Sequence, residues 1–189
     1  VMSSQPKICN YIDIPLQHIS TNILASMRRG SNKEKINSLI SKFREKVPGI
    51  AIRSTVIVGF PGETKENFDE LCNWIKEIKF DRLGCFKYSH EENTYAFNLN
   101  DDVPEKEKNR RLDKLMKIQA NISYDKNKLK IGKKFKVCID RSEGNYYIGR
   151  TEHDSPDVDN NVLLEKRKGY LRLGSFVQVK ITDAFTYDL

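Results

Sequence analysis

The sequence predicts a mixed fold, an α/β part built on a parallel sheet followed by a small all-β barrel. Three observations predict it. Apolar, β-branched runs alternate with amphipathic helices through the first half of the chain, the pattern of right-handed strand–helix–strand units. A long charged helix then closes at Gly132. Beyond it the runs shorten and turn signals recur every ~8–12 residues, as in small barrels.

Residues 8–15 (Ile-Cys-Asn-Tyr-Ile-Asp-Ile-Pro) read as a strand that stops at Pro15. Residues 32–46 carry Ile36, Leu39, Ile40 and Phe43, with Val47 one step on, the stripe of an amphipathic helix that Pro48-Gly49 ends. Residues 50–58 form a second strand, nearly continuous in apolarity, as a strand buried on both faces requires. Gly59-Phe60-Pro61-Gly62 is a turn. The next helix places Phe68, Leu71, Cys72, Ile75 and Ile78 on one face, and a third strand covers 82–88. After a polar break at 98–104, the long helix is expected to face Leu112, Leu115, Met116, Ile122 and Leu129 inward. Short strands follow at 137–139, 146–150, 162–165 and 176–182, separated by turns such as 143–145 and 168–169. The chain divides into residues 1–125 and 126–189. Its α/β part holds only three strands, the first opening almost at a terminus that is Val rather than Met. The expectation is a fragment whose N-terminal half lies elsewhere, with the strand edge at 8–14 open to sheet-edge self-association.

Lys and Arg number 33 against 26 Asp and Glu, giving a net charge of +7 and a pI near 9.1. No apolar run reaches the ~20 residues of a membrane span, and no signal peptide opens the chain. No membrane partner and a cytoplasmic location are therefore expected. The four cysteines, Cys9, Cys72, Cys85 and Cys138, stand far apart, with no local metal-knuckle or cluster-binding spacing. They read as reduced, buried, small hydrophobes.

In parallel α/β sheets, ligands sit beyond the carboxyl ends of the strands. Three segments occupy that place: Pro15–His18 with Met27–Gly30, Gly59–Glu63, and Tyr88–Glu92. The glycine turn lets backbone amides approach a ligand, or is a plain strand-to-helix turn with Glu63 at the helix start. His18 is a ligand contact, or a surface or helix-entry histidine. Arg28 and Arg29 hold a carboxylate or phosphate, or are a solvated helix end. His90-Glu91-Glu92 does acid–base work or lies idle at the surface.

Taken together, "YIDIPLQHISTNILASMRRG", "RSTVIVGFPGETKENFDEL" and "DRLGCFKYSHEENTYA" resemble, in order and spacing, the radical-SAM methylthiotransferases. "IGRTEHDSPDVD" and "GSFVQVKITDAFTYDL" resemble the TRAM domain those enzymes carry. The resemblance covers nearly the whole chain. It implies the C-terminal part of a radical-SAM partial (βα) barrel followed by a TRAM (OB-like) barrel. Pro-Leu-Gln-His at 15–18 and Tyr-Ser-His-Glu-Glu at 88–92 favour the branch that methylthiolates an aspartate of a small-subunit ribosomal protein. Methylthiolation of transfer RNA, and a non-catalytic RNA- or ribosome-binding module, are the alternatives. Lys87 and Asn93 depart from the family pattern, where a small uncharged residue and Gly are usual.

The resemblance implies S-adenosylmethionine as cofactor, cleaved reductively at a four-iron cluster, and a second iron–sulfur cluster in an upstream domain. The cluster-binding cysteine loops of the family are absent, so this stretch alone is expected to ligate no metal, to hold no catalytic residue and to be inactive. By the same resemblance Gln17 and Ser54 or Thr55 hold ribose and amino-acid groups, and Ile57, Val58 and Gly59 flank the adenine. Arg28 or Arg29 meets the carboxylate, and Phe86 and Tyr88 face the barrel mouth. The β part decides the partner. Residues 126–189 hold 13 basic and 9 acidic residues. Lys126, Lys128, Lys130, Lys133, Lys134 and Lys136, then Lys166-Arg167-Lys168, with Tyr146, Tyr147 and Tyr170 between them, suit RNA. Glu152, Asp154, Asp157 and Asp159 in one loop suit a basic ribosomal protein as substrate.

Overall fold

A computed structural model describes residues 1–166 and 169–189; Arg167 and Lys168, two members of the second basic cluster, lie outside the described residues. The chain forms two compact units. One is Ile12–Gln119, and the other joins Val1–Tyr11 to Ala120–Leu189.

The first unit carries a parallel three-stranded sheet in the order β1 (Tyr11–Gln17), β2 (Ala51–Val58), β3 (Arg82–Lys87). Between the strands lie α1 (Thr21–Ser26), α2 (Lys33–Lys46) and α3 (Lys65–Ile78). The Asn32 side chain caps α2 by accepting from the Lys35 amide. Thr64 and Asn67 form a reciprocal capping box on α3. Phe68, Leu71, Cys72, Trp74 and Ile75 of α3 are buried, and the Trp74 ring meets Phe80 edge-on at 5.2 Å.

Two expectations about this unit are corrected. The first strand does not stop at Pro15 but runs through it to Gln17. Ser54 Oγ binds the Ile14 carbonyl and the Leu16 amide, so those groups face β2 and the Pro15 nitrogen faces away from it. Its missing N–H therefore removes no bond to β2. Leu39 of α2 is 39% exposed rather than buried, because Ile36 and Ile40 alone reach the core.

The helix α4 (Glu105–Lys128) departs furthest from its apolar reading. Its buried positions are Lys108, Arg111, Leu115, Gln119, Ser123 and Asn127, almost all polar, while Leu129 beyond its end is 70% exposed. Their polar groups find partners, except Gln119 Oε1, which is buried without one. Gln119 Nε2 donates to the Phe80 carbonyl, Ser123 Oγ to that of Thr186, and Asn127 Nδ2 to that of Phe185.

The second unit is built on an antiparallel sheet in the order β6 (Val162–Glu165), β5 (Tyr146–Arg150), β4 (Lys134–Glu143), β7 (Phe176–Lys180). Val137, Ile139, Tyr147, Val162, Ile181, Ala184 and Leu189 form its core. Tyr147 therefore belongs to the core and not to the surface, its hydroxyl accepting from the Leu171 amide. A register shift between Ile139 and Arg141 leaves Asp140 as the extra residue of a bulge, where its carboxylate pairs with Arg150 at 3.1 Å. Cys9 is exposed, against the expectation of four buried thiols, whereas Cys72 is buried. Among the described residues no helix is long and apolar enough to cross a membrane.

Gly149 lies on β5 with its α-carbon against the Cys138 backbone, where a Cβ would collide with the carbonyl oxygen. Backbone cannot swing aside as a side chain can. Gly149→Ala is expected to destabilise the protein by about 1–3 kcal/mol, read from the shift of its urea unfolding transition.

Candidate functional site

A cavity of about 260 Å³ opens where the parallel strands end, lined by Gln17, Ser26–Arg29, Ile57, Phe60 and Thr94–Ala96. Ile23, Phe60 and Tyr88 form the buried apolar cluster beneath it, with Met27, Ile57, Ala96 and Leu99 packed around them. Phe60 and Tyr88 meet edge-on with ring centroids 5.1 Å apart.

Two of the lining residues have left-handed backbone, Gln17 at φ 71° and Arg28 at φ 55°. Neither is Gly, so the surrounding structure holds them there at a cost of ~1–3 kcal/mol each. The Gln17 turn directs its amide inward, where Oε1 is buried and accepts no hydrogen bond. The Arg28 turn lays its guanidinium 3.5 Å from the Tyr95 ring centroid. An unsatisfied acceptor and two guanidinium groups thus share one small cavity with the apolar faces of Ile57 and Phe60. That donor and acceptor set suits a ligand carrying both an ammonium or hydroxyl donor and a carboxylate, beside a flat apolar group.

Of the ten residues assigned to the cofactor from the sequence, the cavity brings together Gln17, Arg28, Arg29 and Ile57. The other six do not line it, and Gly59 sits in the turn with its amide donating to Glu63. Ser54 is fully buried and its hydroxyl bridges β1 and β2. Thr55 pairs in register with Gly84. Val58 is core. Tyr88 is buried beneath the cavity, with its hydroxyl donating to the Ala96 carbonyl at 3.1 Å, whereas Phe86 is 61% exposed. Ser26 and Thr94–Ala96 were not singled out from the sequence, and Phe60 entered only as part of the Gly59–Glu63 segment. Only the phenylalanine within Gly59–Gly62 carried a signal, being apolar in a turn that otherwise calls for small residues. Asn93 adopts φ 64°, a left-handed conformation that Asn tolerates better than most residues. Lys87 pairs with Glu105.

Beneath the β2–α3 turn, Glu63 is buried and binds three elements at once. Its carboxylate accepts from the Gly59 amide, from His18 Nε2 at 3.2 Å and from Arg111 Nη1 at 2.7 Å. The Ser20 amide donates to His18 Nδ1 at 2.9 Å, which leaves Nε2 as the donor to Glu63. His18 is therefore neither a ligand contact nor a surface group but a fully buried strut. Arg111 also donates to the Glu63 carbonyl and to Glu107. Bidentate pairing with Arg110, then the Arg111 bond, pulls the Glu107 carboxyl down to about 2. His90 stacks on Phe97 at 4.6 Å, and Glu91 accepts from Ser89.

In the second unit the acidic loop divides in two. The Asp154 carboxylate is buried and accepts from the Thr151 hydroxyl at 2.5 Å. Asp159 accepts from the Tyr11 hydroxyl at 2.8 Å and from the Ser155 amide at 2.9 Å. Glu152 and Asp157 are exposed. The outward face of the β4–β7 pair sets Lys134 opposite Lys180 and Lys136 opposite Gln178, with the Lys136 ammonium 4.5 Å from the Phe176 ring centroid. Among the described residues no group of three or more His, Cys, Asp or Glu is placed to hold a metal ion. Burial pushes the Cys85 thiol up to about 12, which suits an inert packing group.

Two outcomes test this geometry. Glu63→Gln strips the charge that compensates buried Arg111 and is expected to destabilise the fold by about 3–5 kcal/mol, measured by urea unfolding. Glu107, lowered in the folded state from 4.5 to about 2, stabilises the fold fully above its unfolded value. That stabilisation drains away as the pH falls from about 4.5 to about 2. Glu107→Gln is expected to flatten the acid limb of the stability profile across this window and lower stability at neutral pH.

Residues 131–189 match the family model of the TRAM domain. The whole chain aligns with curated relatives named ribosomal protein uS12 methylthiotransferase RimO. It is 57% identical to that of Christiangramia forsetii and 55% to that of Flavobacterium johnsoniae, covering 42% and 43% of their lengths. With the Bacteroides fragilis protein it shares 49% identity over 190 aligned residues and 44% of that protein's length. A solved structure of coproporphyrinogen III oxidase HemN from Escherichia coli, described as a radical SAM enzyme, aligns at TM-score 0.48 and 20% identity, over 62% of this chain and 27% of that one. The chain spans less than half the length of the curated relatives it matches. From its first residue to its last it is similar to the RimO-type methylthiotransferases, and it ends in a TRAM domain.

Proposed function

We propose that this chain is the part of a RimO-type enzyme that helps bind S-adenosylmethionine and docks the protein substrate, an aspartate-bearing segment of ribosomal protein uS12. The observation that carries the reading is the cavity holding Gln17, Arg28, Arg29 and Ile57 beyond the strand ends. S-adenosylmethionine fits its donor set. The free Oε1 of Gln17 would accept from the ammonium or a ribose hydroxyl, and Arg28 and Arg29 would bind the carboxylate. Ile57 and Phe60 would lie against the adenine, with Val58, Gly59 and Tyr88 supporting them from beneath and Ser54 and Thr55 holding the strand register. Phe86, exposed on β3, would face the barrel mouth. Bound there, the cofactor supplies the radical chemistry of the reaction. The spacing of the four cysteines along the sequence offers no cluster-binding loop, and Cys72 and Cys85 serve as small packing groups within the first unit.

In the TRAM domain, Asp154 and Asp159 would shape the acidic loop while Glu152 and Asp157 meet the basic chain of uS12. Rim charges of this kind act mainly on association rate, each worth no more than ~1 kcal/mol. A second reading, contact with RNA, is favoured by one observation, the Lys134, Lys136 and Lys180 face beside exposed Phe176.

Protein made from the complete reading frame should bind S-adenosylhomocysteine by calorimetry. Arg28→Ala with Arg29→Ala should weaken binding about tenfold or more, as loss of a charged hydrogen bond does. Unchanged affinity would remove the cavity from the cofactor site. Glu152→Lys with Asp157→Lys should slow association with uS12 at low salt and leave it nearly unchanged at high salt. If the double change left uS12 association intact and strengthened binding of a transfer RNA, the RNA reading would take its place.

A further inference from the structure

We propose that Lys108 and Asp101 form a latch that positions one wall of the cavity, a proposal resting on the cofactor reading of that cavity. Lys108 rises from α4, yet its side chain is only 4% exposed. Its ammonium meets Asp101 Oδ2 at 2.6 Å and stands 5.1 Å from the Tyr88 ring centroid. Its methylene stem fills the space that Gly59, at φ 72°, leaves by having no Cβ. One side chain thus touches the β2–α3 turn, the residue that follows β3, and the segment leading into α4. Tyr88 carries the constraint onward, its ring against Phe60 and its hydroxyl on the Ala96 carbonyl, and both of those residues line the cavity. The Gly62 amide adds a second tie by donating to Asp102 at 2.8 Å.

A buried ammonium is costly to leave without its carboxylate, so the ion pair favours one arrangement, with the 88–102 segment drawn down on the turn. Neither Lys108 nor Asp101 lines the cavity. The pair acts through Tyr88, Phe60 and Ala96, as positioning residues.

Hydrogen exchange followed by mass spectrometry, on protein from the complete reading frame, tests the latch. Inside the segment the Phe97 amide donates to the Thr94 carbonyl and the Leu99 amide to that of Ala96. Peptides covering 94–99 should exchange at least about tenfold faster in Lys108→Met and in Asp101→Asn, and no faster still when the two are combined. Lys108→Arg should restore near wild-type rates, and peptides from β4 and β5 should keep theirs throughout. S-adenosylhomocysteine affinity should fall about tenfold in Lys108→Met while the amides of β2 stay protected. Unchanged rates at 94–99 in either single variant, or a combined effect equal to the sum of the two, overturns the latch. Should Lys108→Met fail to fold, Asp101→Asn alone decides by the same rates. A wild-type protein that does not bind S-adenosylhomocysteine overturns the cofactor reading instead, and the exchange rates still decide on the latch.

Discussion

The buried carboxylate of Glu63 is the constraint on which the α/β unit depends. A charge taken out of water must be matched where it lies, and Glu63 is matched from three directions, by the Gly59 amide, by His18 and by Arg111. Those partners come from the end of β1, from the β2–α3 turn and from α4. Satisfying one carboxylate therefore sets the relative positions of the segments that surround the cavity. A well-packed apolar core could give comparable stability, but it would not fix a turn and two chain ends to hydrogen-bond precision. The left-handed backbone of Gln17 and Arg28, bordering the same cavity, is strain that such a frame can sustain.

The same logic runs along α4. Its inward face is a row of polar side chains spaced mostly four residues apart, Lys108, Arg111, Leu115, Gln119, Ser123 and Asn127, each polar member finding a carboxylate or a backbone carbonyl. Carbonyl oxygens in irregular segments have no ladder partner, and an amide or hydroxyl from a passing helix satisfies them without needing water. Residues 105–119 of the helix do this for the first unit and residues 120–128 for the second.

The TRAM domain handles its charges differently. Its acidic loop spends two carboxylates on its own shape and leaves two outward, while the basic residues stand on the face of a strand pair. Counting charges within a stretch of sequence treats these alike. Burial and hydrogen bonding separate the structural carboxylates from those free to meet a partner. Tyr147 shows the same distinction among aromatics, being core, whereas Tyr170 is 82% exposed.

Periodicity by itself determined the strands of the parallel sheet and the helices α2 and α3, because each buries an apolar stripe whose spacing is written locally, whereas the six-residue α1 is too short to show one. The motifs around Gln17, Gly59 and Tyr88 also sufficed to point to the strand ends and to the family resemblance. Tertiary structure alone decided the rest. Which residues share the cavity depends on three loops distant in sequence, so Thr94–Ala96 had no local signal. The buried face of α4 was illegible because a polar side chain looks solvated until its partner, at positions such as Phe80 or Thr186, is brought beside it. Pro15 within β1 was tolerated because its nitrogen faces away from β2, a fact of strand pairing and not of sequence. Glu63 read equally well as a helix-start carboxylate, and only the convergence of His18 and Arg111 made it the centre of the fold, since a charge is stable in the interior only where the chain returns to meet it.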